Sequence, residues 1–201
     1  MRTLVALLGT LTALTLLPSV AAAQWTAELQ VGGSRFWGTS RELGVEAPHS
    51  FRPYRPTTIG LRLERTAGAL TLAFTGYNAG TGFALEGDDG AILANGVLTV
   101  TGIQPEADFR IAMLPGAGRI ALGAGPLLEV WGVQSASSRT RFGGHAAAIL
   151  EVPLGGRLRA AVRGGMSVLP SSILNDDEVT SGYERRATWR RSLTLGLGYR
   201  L

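Results

Sequence analysis

The sequence predicts an all-β chain, an eight-stranded antiparallel up-and-down barrel that follows an N-terminal leader. Three observations predict it. The last ten residues alternate without a miss, Leu193, Leu195, Leu197, Tyr199 and Leu201 against Ser192, Thr194, Gly196, Gly198 and Arg200, and a period of two is that of a strand with one apolar and one polar face. The same alternation returns along the whole chain. The connections between the alternating segments switch regularly between long and short.

The leader comes first. Met1-Arg2 is a short positive start, Leu4 to Leu17 is an apolar run without charge, and Pro18 breaks it before Ala21-Ala22-Ala23. This is the build of a cleaved signal peptide, residues 1–23. An apolar run of about 14 residues is shorter than the ~20 that a helix needs to cross hydrocarbon. Removing 23 of the 201 residues leaves 178 for one domain, residues 24–201. The chain has no Cys, so no disulfide framework holds the exported protein. All 19 basic residues are Arg, and the net charge of +4 falls to +3 once Arg2 leaves. That excess, without a basic cluster interleaved with aromatics, does not point to nucleic acid.

Along the mature chain, Trp25, Ala27, Leu29 and Val31 alternate with Thr26, Glu28, Gln30 and Gly32. Ile59, Leu61 and Leu63 oppose Thr58, Gly60, Arg62 and Glu64, and Leu70, Leu72 and Phe74 oppose Thr71, Ala73 and Thr75. Ala107, Phe109, Ile111 and Met113 oppose Glu106, Asp108, Arg110 and Ala112. Leu158, Ala160, Val162 and Met166 oppose Arg157, Arg159, Ala161, Arg163 and Ser167. Residues 119–133 and 143–154 alternate less cleanly and complete eight strands with the C-terminal one.

Tight Gly- or Pro-bearing turns are expected at residues 65–68, 115–118 and 153–156. Longer polar loops are expected at residues 38–56, 76–96, 134–141 and 169–187. Strict alternation puts all short turns at one end of the sheet and all long loops at the other. Transmembrane barrels are built this way, with an even strand number.

A soluble barrel turns its apolar residues inward, and a membrane barrel inverts this. The polar face decides between them, because it mixes Gly, Thr, Ser and Ala with charges of both signs. Eight strands enclose a space just wide enough for side chains, which suits small residues and paired long ones. The inward parity collects Glu28, Gln30, Arg62, Glu64, Asp108, Arg110, Glu129, Glu151, Arg159, Arg163 and Arg200, so a plugged lumen is expected. Trp25 and Trp37 share the apolar parity 12 residues apart, about 30 Å vertically for a tilted strand. Trp189 and Tyr199 bracket the last strand likewise, as interfacial girdles do.

The chain resembles the small outer-membrane barrels of the OmpA and OmpX type over residues 24–201. Its C-terminus carries the most specific piece, since Thr194, Gly196, Tyr199 and Leu201 match the family's polar-x-Gly-x-x-aromatic-x-hydrophobic pattern. The departure is Leu201, where the family more often has Phe. The resemblance implies a Gram-negative outer membrane, recognition of that motif by the barrel assembly machinery, and a monomer.

No catalytic constellation, cofactor or metal site is expected. His145 lies on the polar parity of the sixth strand, but the H-x-S pattern of lipid A deacylases of this architecture is broken by Ala147. His49 reads as a loop residue beside Pro48 and Ser50. Asp88-Asp89 and Asp176-Asp177-Glu178 lack calcium-loop spacing and read as solvated loop. Gly123-Ala124-Gly125 has no helix after it to bind phosphate. Arg35, Arg139, Arg141, Arg190 and Arg191 fall near the external strand ends, where guanidinium pairs bidentately with phosphate, and are expected to contact lipopolysaccharide. The expected role is structural or surface-binding and non-catalytic, through the four long loops. A lipid-modifying enzyme and a secreted lipocalin-like carrier are the alternatives.

Overall fold

Period-two alternation commits a chain to strands, and closing them on one another removes every unpaired edge. The computed structural model describes residues 24–37, 40–44, 46, 48–87, 90–133, 138–170, 183–184 and 186–201. The leader and the two acidic stretches lie outside the described residues. The strands are β1 (Gln24–Trp37), β2 (Ser40–Glu42), β3 (Ser50–Ala67), β4 (Leu70–Gly87), β5 (Gly90–Met113), β6 (Arg119–Val133), β7 (Arg139–Gly155), β8 (Leu158–Leu169), β9 (Tyr183–Glu184) and β10 (Thr188–Arg200). A 3-10 turn, Pro115–Ala117, joins β5 to β6. Eight long strands form the wall in sequence order, each antiparallel to the next. β1 closes it by pairing with β10 (Leu29 opposite Leu197) on one side and with β3 (Leu29 opposite Leu61) on the other. The short β2 and β9 pair with each other, and β2 also pairs with the start of β3.

The faces are inverted relative to a soluble protein. Leu29, Ile59, Leu61, Phe109, Leu193 and Leu195 stand 55–62% exposed on the outside, whereas Glu28, Glu64 and Glu129 are 0% exposed inside. A continuous apolar band of this kind belongs in hydrocarbon, which rules out the lipocalin-like carrier. Among the described residues no helix is long and apolar enough to cross a membrane.

Three boundaries differ from expectation. Residues 50–56 and 76–87 are strand, not loop, so the second long connection is a hairpin that carries β4 and β5 past the membrane band. Its glycines hid it, because Gly depresses strand propensity. β7 likewise runs through Pro153, opposite Arg159, to Gly155, with a bulge between Pro153 and Gly155. In β5 the register shifts between Arg110 and Ala112. Arg110 precedes the shift and lies opposite the buried Ala121, on the inward parity, but stands exposed near the short-turn end. Arg200 keeps inward parity but emerges, exposed, at the short-turn mouth.

Strand packing leaves no room at one glycine and ample room at another. A Cβ on Gly125 would run into the backbone carbonyl of Pro105 across the β5–β6 seam, while one on Gly76 meets nothing within 4 Å. Gly125→Val is expected to destabilise the barrel by about 1–3 kcal/mol and Gly76→Val to change it little, read as urea midpoints of the heat-modifiable gel band.

Candidate functional site

Charges on the inner face have nowhere to go but toward one another. Among the described residues the lumen holds six carboxylates, Glu28, Glu64, Glu106, Asp108, Glu129 and Glu151, and six guanidiniums, Arg62, Arg119, Arg139, Arg159, Arg163 and Arg190. Toward the short-turn end, Arg119 bridges Glu64 at 3.2 Å and Glu151 at 2.8 Å, and Arg159 reaches Glu151 at 2.9 Å and also pairs with Glu64. Arg62 sits 2% exposed at the centre and grips three acids on two strands: Glu64 at 3.1 Å, Glu106 and Asp108. Arg163 reaches past β10 to Glu28, with Nε and Nη2 each donating at 3.3 Å, and Gln30 donates to the same carboxylate at 2.8 Å. Most of these pairs join strands that are not neighbours, so the ladder braces the barrel across its bore.

Higher up the network changes character. Glu129 accepts from Tyr77, from Arg190 and, at 2.9 Å, from the Trp131 indole. Arg190 also donates to Ser167 Oγ at 3.0 Å and lies 5.8 Å from the Phe36 ring. Above it an apolar layer of Phe36, Leu98, Val100, Leu127, Trp131 and Leu169 fills the bore, with Phe36 edge-on to Trp131 at 5.8 Å. The expected polar plug is thus two plugs, one ionic and one apolar.

The inward assignments of Glu28, Gln30, Arg62, Glu64, Asp108, Glu129, Glu151, Arg159 and Arg163 agree with the structure. Glu106 and His145, on the polar parity of their strands, join them, and so do Arg119, Tyr77 and Trp131, which alternation alone does not assign to the bore. His145 is bound through Nε2 to Glu106 at 2.7 Å, its Nδ1 is buried without a partner, and its cross-strand neighbour is Ser167. His49 is exposed, and its ring pairs with Glu42 at 3.0 Å, holding that carboxyl below the usual range.

The rim arginines divide. Arg190 and Arg139 are each 7% exposed and point into the barrel, which corrects their expected place on the lipid side. The parity of β10 carries the signal, because Arg190 falls in step with Ser192, Thr194 and Gly196. Arg35 and Arg191 face out as register partners, and Arg141 is half-buried. In the C-terminal motif, Tyr199 and Leu201 face outward, and Thr194 and Gly196 inward. Gly196 has a packing reason of its own, since a Cβ there would strike the Glu28 carboxylate.

An inverted eight-stranded wall, its first and last strands starting and ending at the short-turn end, and a charged, filled bore define the class: an outer-membrane β-barrel. By sequence, neither a protein-family model nor a curated protein matches the chain. By structure, it is similar to Neisserial surface protein A, with a TM-score of 0.60 at 11% identity over 88% of this chain and 97% of that one. It is similar also to the outer membrane protein OprG from Pseudomonas aeruginosa, with a TM-score of 0.57 at 10% identity over 90% and 96% of the two chains. The outer membrane protease OmpT from Escherichia coli gives 0.51 at 8% identity over 93% and 100%. At such identities the likeness is one of fold.

Removing the central cation should cost most. Arg62→Met leaves Glu64, Glu106 and Asp108 without their shared partner, and a loss of about 3–5 kcal/mol is expected because an uncompensated buried charge remains. Urea unfolding of the refolded barrel in lipid vesicles measures it, with the exposed Arg110→Met as the neutral comparison.

Proposed function

We propose that this chain is a non-conducting, non-catalytic outer-membrane barrel whose role beyond the wall itself is surface binding by its external connections. The observation that carries the reading is the double plug. Salt-bridged rows join β1 and β3 to β5, β6 and β8 in the lower bore, with Glu151 of β7 tied to β6 and β8, and the Phe36–Trp131 layer closes the upper one. Side chains that span the bore leave no continuous water column. The extended β4–β5 hairpin supports the second part, for it holds Ile92 and Leu93 out at 66% and 47% exposure, beyond the last barrel pairing with β6. The C-terminal residues Thr194, Gly196, Tyr199 and Leu201 are the proposed signal for the assembly machinery.

One observation favours a second reading, a lipid-modifying enzyme. Ser167, His145 and Glu106 lie side by side, as a nucleophile, base and orienting acid do. Against it, Ser167 Oγ is engaged by Arg190, His145 Nδ1 makes no hydrogen bond, and the group faces the bore, away from the lipid. Planar-bilayer recording tests the first reading: purified protein is expected to give no unit conductance of porin size, and stable porin-sized steps would end it. Ester hydrolysis of lipid A by the wild type that disappears in Ser167→Ala would establish the second.

A further inference from the structure

We infer that the outer face of the β1–β3 seam is a binding site for the phosphate groups of an outer-leaflet glycolipid, held by Arg35, Arg55 and Arg191. The inference rests on the outer-membrane reading and adds to it a site and a ligand class.

The seam sets the geometry. β1 pairs with β3 only as far as Gly33 opposite Thr57, whereas it continues to pair with β10 up to Trp37 opposite Trp189. Above Thr57 the backbone of β3 turns aside: Arg55 takes a φ of +41°, and the register with β4 shifts between Tyr54 and Thr57. The two strands part and leave a groove whose rim holds Arg35 and Arg191 on one bank and Arg55 on the other. Among the described residues no acidic side chain lines this groove.

Among the described residues these charges have no carboxylate partner. Arg35 and Arg191 are direct register partners, both exposed, and like charges placed opposite each other across a strand pair repel. The inner face of the same barrel pairs its arginines with carboxylates, so the unmatched outer set is a departure from local practice. A bound dianion removes the repulsion, and guanidinium offers phosphate two parallel donors. The level fits as well. Outward residues below the three arginines are Val31, Ile59 and Leu193, all exposed and apolar, so the arginines stand where hydrocarbon gives way to headgroups. Trp37 and Trp189 stack at 6.4 Å beside them, and the Arg191 guanidinium rests 4.6 Å from the Trp37 ring, which fixes its direction.

Native mass spectrometry of the refolded full chain in detergent micelles, titrated with bisphosphorylated lipid A, tests the site. The Arg35→Gln/Arg191→Gln double variant and Arg55→Gln are compared with Arg110→Gln, an exposed arginine at the opposite end. The double variant is expected to bind about tenfold or more weakly, Arg55→Gln several-fold more weakly, and Arg110→Gln like the wild type. Monophosphorylated lipid A should bind more weakly than the bisphosphorylated form. Unchanged binding in the double variant, or an equal loss in Arg110→Gln, would overturn the inference. Displacement by millimolar inorganic phosphate would overturn the lipid assignment in favour of a free-anion site. If the double variant does not refold, Arg55→Gln decides alone. Failure of the wild type to show a heat-dependent gel shift would strike instead at the barrel reading.

Discussion

Arginine cannot escape burial by giving up its proton, and a bore filled by side chains surrounds it with protein. That constraint organises this protein. Each lumenal arginine must meet a carboxylate, and because neighbours on one strand alternate faces, the partner usually comes from another strand. Arg62 on β3 therefore reaches Glu106 and Asp108 on β5, and Arg163 on β8 reaches Glu28 on β1. The small residues on the inner face follow from the same crowding. Gly196 and Gly198 clear space for the Glu28 and Arg159 side chains, and Gly123 does so for Asp108 and Glu106.

The outer face obeys the complementary rule. In hydrocarbon a leucine costs nothing to expose, so apolar residues take every outward step of β1, β3 and β10 through the membrane band. Burial, the usual mark of a hydrophobic residue, is reversed here. Stability comes from the closed hydrogen-bonded wall and the internal ladder, and a buried ion pair by itself adds less than its geometry suggests. What the ladder supplies is registry: misaligned strands would strand a charge.

Sequence parity exposed most of this because a strand's period is an integer, so one anchored residue assigns a whole face. β10 and β1 were legible throughout. Parity gave the side but not the depth where the wall ends, as at Arg110 and Arg200, which stand exposed near the short-turn mouth. It succeeded where composition misled: Arg190 looked like a rim charge beside Arg191, yet its even step turns it inward onto Glu129. The Phe36–Trp131 layer was hidden for the opposite reason. Aromatics on an inward step read as girdle or core, and nothing local states that they cap an ionic bore. The Ser167–His145–Glu106 neighbourhood needed the register between strands, which a single chain does not reveal, and so did the splay of β3 from β1 that brings Arg55 beside Arg35.

The inversion of the two faces is the claim on which the rest stands, and the absence of cysteine from the chain allows it to be read residue by residue. Single cysteines placed from Thr58 to Arg65 on β3, spin-labelled and reconstituted in vesicles, report collision with oxygen, which concentrates in lipid, and with a water-soluble nickel chelate. Odd positions, Ile59, Leu61 and Leu63, should be accessible to oxygen and shielded from nickel, while even positions should be shielded from both. Nickel accessibility at the odd positions exceeding that of oxygen would contradict the account.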